Sequence, residues 1–341
     1  MRCISCILVT SLLVGGLGAE ATASTFLYTG NPANGRLAES SKDWSTVDGS
    51  QASPESAPGT TLKAEPKEGM QLIISIAPDF TTAGRIVVGE VGKLFAGAEH
   101  VAWTGAENQT LTLKGIDGKP GELLLESSRE VPLEGHEITG CAVFSPLIAP
   151  NGLVFGGAGQ GPDRNDHPQD QHRLAIVNGL TAGGSSTKVG PGDVALYGTV
   201  KLDGPLEVQE GWLIVATNPE SGEPTRLEVK SARIESEGRL VFYTSPDYPK
   251  LVLVLTLGQP GGEALIECDG ALTGIDKTAL DVLTPGGKPP SPGTYRLISQ
   301  NHPQGMAEFT KATLNGSALP ANCRLDYSPD ARSVNLVVDK N

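Results

Sequence analysis

From Thr187 to Val215 the chain reads "TKVGPGDVALYGTVKLDGPLEVQEGWLIV", and apolar residues return in pairs two apart: Val194 and Leu196, Val200 and Leu202, Leu206 and Val208, Leu213 and Val215. A period of two places both members of a pair on one face of an extended strand. Glycines at 190, 192, 198, 204 and 211 punctuate the run, and glycine suits sharp bends because it tolerates positive φ. Strands this short are poor material for a large sandwich. They suit a coil that turns three times per circuit. One such coil buries too little apolar surface to offset the entropy of ordering its backbone, so stability has to come from stacking.

The same signature recurs along the chain. "RIVVGEV" (85–91), "QTLTLKG" (109–115) and "GELLLES" (121–127) are strand candidates, as are "TRLEVKSARI" (225–234), "RLVFYTS" (239–245) and "KLVLVLTLG" (250–258). In the second of these Leu111 and Leu113 face one way and Thr110, Thr112 and Lys114 the other. No capped apolar repeat of period 3.6 is present; "ESSREVPLEG" is short and broken by Pro132. Residues 24–80 are expected to form an N-terminal segment or cap, 81–294 the body, and 295–341 a final coil and C-terminal cap. Within the polar stretch 24–70, Trp44 is the candidate anchor of a lid over the first open sheet edge. Two β-sandwich modules are the competing all-β arrangement.

The run from Lys188 to Leu213 resembles the autotransporter-associated β-strand repeat. That motif begins Lys-x-Gly-x-Gly, continues through a strand ending Leu-x-Gly, and closes on Val-x-x-Gly-x-Leu. The matching positions are Lys188, Gly190, Gly192, Leu196, Gly198, Val208, Gly211 and Leu213. "GTYRLIS" with "LPANCRLDYSPDARSVNLVV" is similar to the final coil of passenger-like proteins. The resemblance implies a single-stranded, right-handed parallel β-helix with end caps, on an exported, often surface-associated protein, and it brings no catalytic residues. The residues up to "NLVVDKN" offer neither a translocator barrel nor a sorting helix, so a passenger-like protein without a translocator is expected.

Composition narrows the function classes. The first 23 residues read as a secretory signal: Arg2, an apolar run from Ile4 to Leu17, and Ala21-Thr22-Ala23 before Ser24. Cys3 and Cys6 fall inside that segment and receive no redox or metal role. Cys141, Cys268 and Cys323 remain, an odd number that excludes a dense disulfide scaffold. The net charge of −13 argues against nucleic-acid binding. After the signal no apolar run is long enough to span a bilayer. A secreted product, periplasmic, cell-surface or extracellular, is expected.

Candidate chemistry is sparse. The excursion Gly156 to Arg173 gathers Asp163, Asn165, Asp166, His167, Asp170 and His172. These are oxygen and imidazole donors of the kind calcium or zinc would use, yet their spacing fits no standard motif, and a solvated polar loop is expected. "LVFGGAGQGP" has Pro162 where a dinucleotide fingerprint needs its third glycine. Asp193 and Asp203 are candidate paired carboxylates for a polysaccharide-active enzyme, a glycosidase or lyase. Trp212 is expected to pack rather than to bind sugar. The reading preferred from the residues is a structural or adhesive scaffold without catalytic machinery, cofactor or metal site, whose partners are glycans or surface proteins; the glycosidase or lyase is the alternative.

Overall fold

The computed structural model describes residues 25–28, 44–46, 50, 60–64, 71–76, 88–91, 93–96, 100–105, 110–125, 140–157, 174–218, 222–244, 250–301, 307–328, 330 and 332–340. The signal-like segment and the donor-rich stretch 158–173 lie outside them.

Among the described residues the protein is all-β, apart from two single-turn 3-10 segments at Ile275–Lys277 and Pro285–Gly287. Its strands form three parallel columns arranged like a solenoid. Successive strands along the chain go to the first, second and third column in turn. One circuit runs Leu174–Ile176, Leu180–Ala182, Ser186–Val189. The next runs Val194–Leu196, Thr199–Leu202, then the start of Leu206–Ala216, each strand parallel to its counterpart one circuit earlier. The four apolar pairs read from the sequence all point inward and are at most 1% exposed.

Register aligns these inward residues into continuous stacks. The second column sets Leu111, Leu147, Leu180, Val200, Leu227, Leu253 and Leu280 directly above one another. The first column does the same with Cys141, Leu174, Val194, Leu213, Leu240 and Leu272. A one-residue slip would turn every one of these side chains outward, so burial fixes the register.

Two strands depart from the expected pattern. Leu206–Ala216 and Ala232–Tyr243 each run as one continuous strand from the third column into the first, and in the former the bend falls next to Gly211, where the register shifts. "TRLEVKSARI", by contrast, is two strands that turn at Lys230–Ser231, with neither Gly nor Pro to mark the corner. The punctuating glycines also divide by cause. Gly190, Gly198 and Gly211 have φ near +70°. Gly204 instead leaves room for the preceding coil, since a Cβ there would lie 2.4 Å from the Gly184 backbone.

The first column is apolar on its outward side too. Ala142, Ala175, Ala195, Ile214 and Val241 follow one another there in register, all buried. Val177, Tyr197, Trp212 and Tyr243 pack against them. Strands buried on both faces read as continuous apolar runs, which is what "LAIV", "VALY" and "WLIVA" are. Burial pushes the Tyr197 phenol up to about 12.

Antiparallel strands stand at both ends of the third column. Thr25–Tyr28 pairs parallel with Thr61–Ala64 on one side and antiparallel with Trp44–Thr46 on the other. At the far end Gly293–Gln300 pairs antiparallel with Ser333–Val338, which pairs antiparallel with Cys323–Tyr327. The second column ends on the antiparallel pair Lys311–Leu314 and Ser317–Ala318.

Cys141, Cys268 and Cys323 are free, buried thiols. Cys141 and Cys268 occupy positions in the inward stacks of two different columns, and burial pushes both thiols up to about 12. The thiolate is the reactive form. In the folded protein at pH 8, Cys141 and Cys268 should therefore resist a thiol reagent that labels them fully in denaturant. Rapid labelling of either in the native state, mapped by peptide mass, would contradict their placement.

Candidate functional site

The corner between the third and first columns holds the most unusual chemistry in the described residues. Alternation in Ser186–Val189 sends Ser186 and Lys188 inward, and Lys188 has no exposed surface. Its neighbours in the stack are Phe155 of the previous coil and Val208 of the next, so its alkyl stem takes an ordinary core position. The ammonium reaches the corner and donates to the carbonyls of Glu210 (2.7 Å), Val189 (3.4 Å) and Gly190. A buried cation has to be hydrogen-bonded and charge-compensated. Here the compensation comes from the carboxylates of Asp193 and Glu210, the former only 1% exposed. Burial outweighs them and brings the Lys188 pKa down to about 8.

Each residue of the Lys-x-Gly-x-Gly run thereby acquires a physical cause. Lys188 ties its own corner to the corner of the following coil, through Glu210. Gly190 supplies a left-handed turn and an acceptor carbonyl. The amide of Gly192 donates to the carbonyl of Gly157, 3.2 Å away in the coil before. Gly211 has to lack a side chain, because a Cβ there would stand 2.5 Å from the Lys188 nitrogen and 2.6 Å from the Pro191 oxygen. The lysine is thus a buried staple between coils, with no exposed surface.

Asp193 and Asp203 are not brought together. Asp193 lies buried at the corner leading into the first column, whereas Asp203 lies at the corner leading into the third, partly exposed and 3.9 Å from Lys201. Other carboxylates are engaged in the frame. Asp281 accepts from the Thr313 hydroxyl (2.7 Å) and the Gly316 amide (2.9 Å), with Arg226 at 3.7 Å. Glu235, Glu267 and Asp269 surround the single guanidinium of Arg233. Trp212 packs on the outward apolar face of the first column, and the Arg239 guanidinium sits 5.3 Å from its ring centroid. The described residues contain no group of three or more His, Cys, Asp or Glu suited to a metal. No described helix is long and apolar enough to cross a membrane.

Among the described residues, a concave feature opens to solvent at the corner between the second and third columns. Two stacked turns, 257–262 and 284–291, diverge there around a cleft of about 300 Å³. Leu257, Thr284 and Tyr295 are its buried members, and proline rings line much of the remainder. Sequence reasoning missed this cleft; the proline-rich "LTPGGKPPSPG" (283–293) between two strand signals was the available clue.

Comparison of the chain with protein-family models, with curated proteins and with solved structures finds no match.

Proposed function

We propose that the protein is an exported, passenger-like scaffold, structural or adhesive in role, whose body is a single-stranded right-handed parallel β-helix of the autotransporter-associated repeat type. The observation that carries this reading is the Lys188 corner, where the residues of the repeat motif are spent entirely on joining one coil to the next. A motif of that kind builds length rather than an active centre. Right-handedness follows the strong preference of parallel crossover connections. Partners, either glycans or proteins of a surface, would meet the corners, where turns differ from coil to coil while the columns do not. The placing of Asp193 and Asp203 at different corners favours the scaffold over a glycosidase or lyase that would use those two carboxylates.

Small-angle scattering together with a glycan panel tests the proposal. A rod-like distance distribution with no sugar release is the expected result. A two-bead profile would sink the single helix, and release of soluble sugar would sink the non-catalytic scaffold.

A further inference from the structure

We infer that the cleft between turns 257–262 and 284–291 is a binding site for a single carboxylate-bearing sugar unit, such as a uronate at the end of a glycan. The inference rests on the adhesive reading above and names a ligand class for it.

The cleft is preformed. The Gly261 amide donates to the Thr294 carbonyl (2.8 Å), and the Gly262 amide donates to the Gln259 carbonyl (3.2 Å), fixing one wall. The Gly287 amide donates to the Thr284 carbonyl (2.9 Å), and the Tyr295 hydroxyl donates to the Ser291 carbonyl (2.9 Å), fixing the other. Pro260 closes against Gly293 so tightly that a Cβ there would lie 2.7 Å away. With Pro285, Pro289 and Pro290 also in the walls, little conformational freedom is left to lose on binding. The volume is at the small end of ligand pockets, enough for one ring rather than an extended chain.

Charge selects the ligand. The protein carries 39 acidic and 26 basic side chains, yet no carboxylate lines this cleft and Lys288 does. Lys288 is exposed, and among the described residues its ammonium makes no ion pair. An ammonium on an otherwise acidic protein, in a cleft it shares with apolar proline rings, favours an anion joined to a compact body with C–H faces. Proline walls also disfavour a peptide strand, because proline offers no backbone N–H to pair with it. Gln259, exposed at the cleft, can both donate to and accept from sugar hydroxyls.

Titration of the full chain with methyl β-D-glucuronide, followed by NMR or calorimetry, tests this, with methyl β-D-glucoside and sodium acetate as controls. The glucuronide should bind, the neutral glucoside about tenfold more weakly, as expected for the loss of one charge-assisted contact. Lys288→Gln, an exposed substitution that leaves the core intact, should bring the glucuronide down to the level of the glucoside. Equal binding of glucoside and glucuronide, acetate matching the glucuronide, tighter binding of an acidic peptide, or an unchanged Lys288→Gln variant would each overturn the assignment. The adhesive reading fails separately: it falls if wild type and Lys288→Gln alike adhere to no glycan or protein surface, whereas adhesion unaffected by Lys288→Gln removes the cleft alone.

Discussion

Lys188→Met is expected to destabilise the protein by about 3–5 kcal/mol, the cost of removing one partner from a buried charge pair. Burial of the ammonium is itself unfavourable, as its lowered pKa records. The loss therefore comes from what methionine leaves behind: the Asp193 carboxylate buried without its counter-charge and the Glu210 and Gly190 carbonyls without their donor. Asp193→Asn in the same background should recover part of the loss. Urea midpoints of the three proteins measure it, and a loss below about 1 kcal/mol in the single variant would refute the staple. The pH dependence has a definite sign. The folded pKa of about 8 lies below the ordinary 10.5, so between those values the unfolded chain holds the extra proton. The site's contribution to stability should rise across that window. Stability of the wild type minus that of Lys188→Met isolates it from the buried thiols, whose raised pKa acts in the opposite direction.

Leu227→Ala should cost about 2–5 kcal/mol, as expected for a large-to-small change in a close-packed core. Leu227 has no exposed surface and stands between Val200 and Leu253 in the second column. The comparison with Leu314→Ala is the informative one. Leu314 lies in the last parallel strand of that column, 7% exposed, with Val282 of one neighbouring coil beside it. In a stack where each coil touches only its neighbours, a central cavity weakens two interfaces and a terminal one weakens a single interface. Leu314→Ala should therefore cost distinctly less in the same urea or thermal melt. Equal losses at both positions would mean that stability is shared globally rather than passed from coil to coil.

The two substitutions bear on what the sequence discloses and what it conceals. Leu227 is legible: alternation in "TRLEV" places it inward with no other information. Lys188 obeys the same parity, two residues after Ser186, but its charge argues for solvent and hides it. The carbonyls of Val189, Gly190 and Glu210, gathered by the fold beside the carboxylates of Asp193 and Glu210, make an inward lysine tolerable. Asp193 is misleading for the same reason, since an acid beside a glycine turn reads as surface until its buried counter-charge is located. The outward apolar side of the first column escapes a period-two reading because "VALY" and "WLIVA" do not alternate. The corner at Lys230–Ser231 escapes because no turn-forming residue marks it. Pairwise periodicity thus reveals the inward stacks, whereas whatever depends on contacts between coils, the cleft included, becomes visible only once the coils are stacked.

Corner length and column register are independent in this molecule. Leu202 is followed almost at once by the strand beginning at Leu206, whereas nine residues, 257–265, separate Thr256 from Ile266. Yet the stack of the second column continues without a slip. Doubling the length of a flexible connection costs only about 0.6 kcal/mol in closure entropy. The frame is therefore a chassis into which foreign peptides can be spliced at its long corners, and along which lineages could exchange surface segments while leaving the stacked leucines untouched.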